Sequence, residues 1–236
     1  MALLRKALAW LSVLVICLFG LLICVARPFN PNNNRVLGRA IAVTGRWILG
    51  LQRPVTGLEY MPQDRPVVII ANHQHNDDLF LMGDLMPPRT VTVGKAILGW
   101  IPFFGQVFWL GGNVMLNRAR SRKAVALMKA TSHAITNENK SLWVFVEGTR
   151  SHGQGLGRFK KGAFHTAVAA QVPLVMICAE SYRDDTEGRW GQRTPVRVRV
   201  LPAIETRGLT ADDVPRLVAD CHRQMAAAIE AMAAPQ

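Results

Sequence analysis

Val67-Val68-Ile69-Ile70-Ala71 runs without a break into Asn72-His73-Gln74-His75-Asn76-Asp77-Asp78. The first five residues are apolar and mostly β-branched, a composition that suits a strand buried on both faces. The seven that follow are polar and turn-forming. The chain therefore leaves a buried strand carrying a histidine and an aspartate five residues apart. Open α/β sheets hold their ligands at the carboxyl ends of their strands, so His73 stands where chemistry is expected.

Working outward, further β-branched runs suggest strands at Thr90 to Val93, Asn113 to Leu116, Leu142 to Val146, Leu174 to Ala179 and Val196 to Leu201. Helix-period apolar positions recur between them, at Leu79 to Met86, Arg118 to Thr136, Phe159 to Ala170 and Ala211 to Met232. This alternation predicts an α/β fold with a mixed, largely parallel sheet covered by helices. With 236 residues, half of them hydrophobic, the chain can bury one sizeable core. Gln52 to Gly57 is the one candidate linker, giving an expected division into membrane-anchoring helices over residues 1–51 and a catalytic domain over residues 52–236.

The N-terminal part is of another character. Ala7 to Ala26 holds twenty residues without a charge, enough for a helix across roughly 30 Å of hydrocarbon. Arg5 and Lys6 precede it and Arg27 follows; the run is longer than the ~7–15 residue core of a cleaved signal peptide. After Pro28 and a turn at Asn32-Asn33-Asn34, Val36 to Leu51 mixes apolar residues with Arg35, Arg39 and Arg46, as an amphipathic helix at the headgroup level would. The first helix either spans the bilayer or dips into one leaflet with the second.

A net charge of +12 calls for an anionic partner. The basic residues are dispersed, without aromatic interleaving or zinc-finger spacing, so an acidic lipid surface fits better than nucleic acid. Cys17 and Cys24 lie in the apolar helix, and Cys178 and Cys221 stand alone. That is neither a disulfide framework nor a zinc ribbon, and it fits a cytoplasmic-membrane protein whose catalytic domain faces the cytoplasm.

An imidazole whose Nδ1–H is held by a carboxylate keeps Nε2 free to accept a proton. On a regular helix, five residues would turn His73 and Asp78 about 140° apart, so the pair meets only if the chain turns between them. Asp77 or Asp78 could instead cap the helix expected from Leu79; Asp77 suits the cap better and Asp78 suits the histidine. His75 reads as a turn residue. No serine or cysteine stands in a nucleophile elbow, so the attacking group is expected to be the substrate's own hydroxyl.

Glu147-Gly148-Thr149-Arg150-Ser151 follows the strand ending at Val146, and its glycine, hydroxyls and guanidinium suit a phosphate. Arg118, closing Asn113-Val114-Met115-Leu116-Asn117, could add a second cation. Lys160 and Lys161, at the start of the helix after Phe159, could meet phosphate or membrane. The uncharged aromatic stretch from Trp100 to Gly105 and on to Leu110 could line an acyl channel, touch lipid or form ordinary core.

The His73-x4-Asp78 pair, Gly112 through Arg118, Phe145 through Ser151, and Val172-Pro173-Leu174-Val175 fall in the order and spacing of four sequence blocks of the bacterial 1-acylglycerol-3-phosphate acyltransferase family. The chain resembles that family from about Leu58 to Met232. The resemblance implies transfer of a fatty acyl group from a thioester of coenzyme A or acyl carrier protein to the 2-hydroxyl of lysophosphatidate, with no other cofactor. It implies His73 as general base with Asp78 as its partner. Arg118, Glu147, Gly148, Thr149 and Arg150 would bind the glycerol phosphate, while Val172 and Pro173 would shape the acyl site. Two positions depart from the usual pattern: Asn117 stands where the second block has Asp, and Val146 where the third has Pro.

Three other readings compete. A non-catalytic membrane-binding protein would explain the charge and the apolar helix but not the co-occurrence of all four blocks. His73-Gln74-His75-Asn76-Asp77 also opens a metallohydrolase motif, but that motif needs a histidine where Asp78 stands. A sister acyltransferase acting on another lysolipid, such as a lyso-aminolipid, would carry the same blocks.

Overall fold

The computed structural model describes residues 2–116, 132–133, 135–182 and 195–233. Seven strands form one sheet: β1 (Val55–Thr56), β2 (Val68–Ala71), β3 (Thr90–Lys95), β4 (Val114–Leu116), β5 (Ser141–Phe145), β6 (Leu174–Ala179) and β7 (Val198–Val200). Their order is β1-β7-β6-β2-β5-β3-β4. From β6 to β4 every neighbour is parallel; β7 runs antiparallel to β6, and β1 parallel to β7. The sheet is mixed and largely parallel, as expected.

The opening stretch sits at its centre. β2 pairs with β5 and β6, placing Val68 beside Leu142 and Leu174, and Ala71 beside Phe145 and Ile177. All four β2 residues are buried. Side chains alternate across the sheet. Val68 and Ile70 face a core made with Phe164 and Ala167 of α5 (Gly162–Ala170) and Leu217, Cys221 and Met225 of α6 (Val214–Ala233). Val67, Ile69 and Ala71 face a second core with Leu81, Met82, Val175 and Val198. A strand with two apolar covers has no use for an alternating pattern, which is why its sequence reads as an unbroken run.

The remaining helices are α1 (Ala2–Ala26), α2 (Asn32–Leu49), α3 (Asp78–Met82) and α4 (Phe104–Leu110). α1 is long and apolar enough to cross a membrane. One face of it, Ala9, Val13, Cys17 and Cys24, packs with Leu37 and Ile41 of α2, Phe80 of α3 and Val107 of α4. Its other face leaves Leu4, Leu11, Leu18, Phe19 and Leu22 exposed. The N-terminal helices are thus joined to the sheet-bearing part by a shared apolar cluster.

Several expectations change. Asn32-Asn33-Asn34 is the first turn of α2, not a loop before it, because Asn34 is buried and usefully bonded. Its Nδ2 donates to the carbonyls of Thr90 and Gly111, each at 2.9 Å, and its Oδ1 accepts from Asn113 Nδ2 at 2.8 Å. The Gln52 to Gly57 linker contains β1, which extends the sheet beside β7. Leu79 to Met86 divides into α3 and a 3₁₀ turn over Gly83–Leu85. The Trp100 to Leu110 stretch splits: Phe104, Val107 and Leu110 pack on α1, whereas Trp100 is 84% exposed. The helix expected from Arg118 to Thr136 lies mostly outside the described residues.

Candidate active site

His73 emerges two residues beyond β2, at the carboxyl edge of the parallel strands. The loop to α3 makes the turn that the His-Asp spacing required. Phe80 N–H donates to Asp77 O at 2.8 Å and Leu79 N–H to Asn76 O at 3.2 Å, starting α3 at Asp78. The Asp78 carboxylate, fully buried, points back into the loop. Its Oδ2 accepts from Gln74 N–H at 2.7 Å and His75 N–H at 3.1 Å, and lies 2.7 Å from His73 Nδ1. Oδ1 accepts from the Tyr182 hydroxyl at 2.5 Å. The carboxylate at the start of α3 thus organises the loop that carries the base, and the tautomer it favours has the proton on Nδ1 and Nε2 as acceptor.

The His73 ring is held from beneath as well. It stacks on Phe145 with ring centroids 4.1 Å apart and planes within 16°. Its backbone N–H donates to Glu147 Oε1 at 2.8 Å, and its carbonyl accepts from Ser151 N–H at 2.8 Å. The side chain is 21% exposed, so the base is fixed in direction yet open to substrate.

Asp77 occupies the position before α3 without capping it through its side chain. Instead its Oδ2 lies 3.7 Å from Lys6 Nζ of α1, an ion pair between that helix and the site loop. The expected cap is therefore replaced by a tertiary contact. His75 proves more than a turn residue: its ring is buried, with Nε2 3.2 Å from Tyr182 O.

Glu147 is a correction. Both its oxygens are taken by backbone N–H groups, Oε1 by His73 and Oε2 by Gly157 at 2.7 Å, and the residue is 3% exposed. A buried anion already bonded on both sides, and of the same sign as a phosphate, is a brace between two loops and not a phosphate ligand. Burial pushes its carboxyl above the usual range, against the pull of those two backbone bonds. The Gly148 N–H is likewise spent, donating to Phe145 O at 3.0 Å, while φ of 72° marks the left-handed turn that glycine permits. Thr149 is exposed, and Arg150 Nη1 donates to Asn76 Oδ1 at 2.8 Å, tying the guanidinium to the loop that holds His73.

Val172 and Pro173 lie at the far end of β6 from His73. They precede β6, whose other end adjoins the site, so about six residues of strand, roughly 20 Å, separate Pro173 from the level of His73. Neither touches the reacting groups. Pro173 O accepts from Val68 N–H at 2.9 Å and Val172 O from Thr206 Oγ1 at 2.7 Å, so the pair sets the register of β6 against β2. Asn117 and Arg118 lie outside the described residues.

Sequence reasoning missed Asn72, Gln74 and Tyr182. Asn72 exchanges two hydrogen bonds with Ala179, at 2.8 and 2.9 Å. Gln74 Nε2 donates to Glu180 O at 2.7 Å, and its Oε1 accepts from Tyr182 N–H at 3.2 Å. Asn72 and Gln74 flank His73 and could have been read as supports of the loop, whereas nothing local marks Tyr182. The metallohydrolase reading fails on geometry. His73 Nδ1 is committed to Asp78, His75 Nε2 to a carbonyl and Asp77 to Lys6, so the three side chains do not converge.

A histidine–aspartate pair thus stands at the carboxyl edge of the parallel strands, with Arg150 tied to the same loop. The acyltransferase family profile matches residues 52–180. The chain is 36% identical to the 1-acyl-sn-glycerol-3-phosphate acyltransferase of Haemophilus influenzae, over 94% of this chain and 92% of that one. It is 35% identical to the enzyme of that name from Escherichia coli, over 90% and 86%. The crystal structure of the 1-acyl-sn-glycerophosphate acyltransferase PlsC from Thermotoga maritima has the same fold, with a TM-score of 0.68 at 22% identity over 100% of this chain and 99% of that one. The chain belongs to the acyltransferase family, among the 1-acyl-sn-glycerol-3-phosphate acyltransferases.

Proposed function

We propose that the protein transfers a fatty acyl group from an acyl thioester to the 2-hydroxyl of 1-acyl-sn-glycerol-3-phosphate, forming phosphatidate. The observation that carries this reading is the His73 ring held by buried Asp78 at 2.7 Å. His73 Nε2 accepts the proton of the acceptor hydroxyl as the oxygen attacks the thioester carbonyl. Asp78 stabilises the imidazolium. Collapse of the tetrahedral intermediate breaks the carbon–sulfur bond, and the imidazolium returns its proton to the departing thiolate. The ester and the free thiol leave, and the enzyme is restored without a covalent intermediate.

Arg150 is anchored by Asn76 to the loop that carries His73, and we assign it the acceptor phosphate together with the Thr149 hydroxyl and Arg118. The exposed leucines of α1 and the net charge of +12 support attachment to an anionic membrane, with the catalytic domain on the cytoplasmic face. The relatives' names support the reaction and the acceptor. Either coenzyme A or acyl carrier protein fits as the carrier of the acyl chain.

The test is an acceptor series assayed with purified protein in mixed micelles: lysophosphatidate, the same lipid without its phosphate, and a lyso-aminolipid. Turnover confined to lysophosphatidate is expected. Equal turnover of the dephosphorylated lipid would remove the phosphate-binding role, and preference for the lyso-aminolipid would move the protein to the sister reaction.

A further inference from the structure

Asp78 has two carboxylate oxygens, and only one serves His73. Oδ2 gathers His73 Nδ1 and the N–H groups of Gln74 and His75, while Oδ1 receives the Tyr182 hydroxyl at 2.5 Å. A carboxyl group rotates about the bond joining it to its side chain. A donor on the far oxygen therefore fixes which way the near oxygen points.

Tyr182 arrives at this place 104 residues along the chain from Asp78, and several bonds determine its position. The end of β6 is bound to the site loop by Asn72 through Ala179 and by Gln74 through Glu180 O. Gln74 Oε1 accepts the Tyr182 N–H, and His75 Nε2 lies 3.2 Å from the Tyr182 carbonyl. The Tyr182 ring packs edge-on against the His75 ring, with centroids 5.0 Å apart, and the residue is buried. Glu180 is itself held, its Oε1 accepting Arg197 N–H at 2.6 Å and its Oε2 lying 3.1 Å from Arg197 Nε. The Gln74 and His75 side chains of the loop thus both hold this tyrosine in place.

The geometry points to Tyr182 as a third member of the His73–Asp78 pair: a positioning residue that fixes the Asp78 carboxylate and shares its negative charge. This rests on the reading of His73 as general base. A hydrogen bond from the phenol to the ionised carboxylate spreads its charge, so less of it acts on the imidazolium formed during reaction. Removing the hydroxyl loosens the carboxylate and concentrates its charge toward His73. Among the described residues, the other charged or titratable groups around the pair are His75 and Asp77 in the same loop, Lys6 of α1, Glu147, Arg150 and His152 after β5, and Glu180 with Arg197 around β6 and β7. Tyr182→Phe alters none of these side chains.

The test is Tyr182→Phe, which keeps the ring against His75, with Asp78→Asn and the double variant beside it. For Tyr182→Phe, kcat should fall roughly 10- to 100-fold, a part of the general-base contribution, with KM for both substrates within about twofold of wild type. The acid limb of its pH–rate profile should move to higher pH. In the Asp78→Asn background, Tyr182→Phe should have no further effect, because the tyrosine acts through that carboxylate. An unchanged kcat and acid limb, with or without a lower melting temperature, would make Tyr182 a packing residue and overturn the proposal. So would an equal further loss in the Asp78→Asn background. A wild-type protein that ignores lysophosphatidate and acylates another lysolipid would defeat the acceptor assignment alone; the same four proteins compared on that lipid would then decide the role of Tyr182.

Discussion

His73 can act only as well as it is held, and three side chains hold it by different means: Asp78 through Nδ1, Phe145 under the ring and Glu147 at its backbone N–H. His73→Ala should abolish transfer, and Asp78→Asn should lower kcat by roughly 10²–10⁴ and also lower the melting temperature, because a buried amide nitrogen would face donors that the carboxylate now accepts from. Arg150→Ala should raise the acceptor KM more than it lowers kcat, as measured by initial rates at saturating thioester. Glu147 adds a pH dependence. Burial first, and the nearby charge of Asp78, hold its carboxyl above the ordinary 4.5, so the native protein keeps this proton longer than the unfolded chain does. Its contribution to stability is full below 4.5 and is lost as pH rises through the raised value. Denaturant unfolding across that window should therefore show a fall in stability with pH that Glu147→Gln removes. The His73–Asp78 pair was legible because both members lie within one loop, where spacing and residue type suffice. Glu147 was misread as a ligand because its bonds to His73 and Gly157 exist only after folding, and Tyr182 was invisible because its partner is 104 residues away.

Between elements, the site loop depends on how α3 is seated against α2. Gly38 of α2 and Gly83 at the end of α3 meet backbone to backbone: a Cβ at Gly38 would lie 2.6 Å from Gly83 O, and one at Gly83 2.9 Å from Gly38 O. Gly38→Val should force the two elements apart and destabilise the protein by about 1–3 kcal/mol in denaturant unfolding. Beside this crossing, Asp84 is gripped by Arg46 of α2 and by Arg53, at 2.8 and 2.6 Å, and both arginines also donate to carbonyls of α3. Burial alone would raise the Asp84 carboxyl, but the Arg46 hydrogen bond and the charges of Arg53 and Arg46 outweigh it and hold it below the ordinary value. The stability it supplies is present above 3.8 and is lost as pH falls through the lowered value. Asp84→Ala should cost about 3 kcal/mol, because two partly buried guanidinium groups would lose their counter-charge. Strands β2, β5 and β6 were readable from their unbroken apolar runs. β1 was not, since a two-residue strand carries no pattern of its own and exists only because Val55 and Thr56 pair with Val198 and Arg199. The asparagine run at the start of α2 was misplaced for a similar reason: the Asn34 side chain serves Thr90, Gly111 and Asn113, and Asn32 serves Arg89, which local sequence cannot announce.

On the scale of the molecule, α1 presents one face to protein and another, leucine-rich face outward, while its Lys6 reaches the site loop at Asp77. The long apolar helix and the candidate site are thus directly joined. The uncharged run from Ala7 to Ala26 announced the long apolar helix. The joining of α1 to α3 and α4 came from packing at Phe80 and Val107, which no periodicity foretells. The most direct measurement is phosphatidate formation by the purified full-length protein from lysophosphatidate and a long-chain acyl thioester, with His73→Ala run beside it at equal folded concentration. The expected result is phosphatidate from the wild-type protein and none from the variant. Undiminished phosphatidate from a folded His73→Ala protein would contradict the account at its centre.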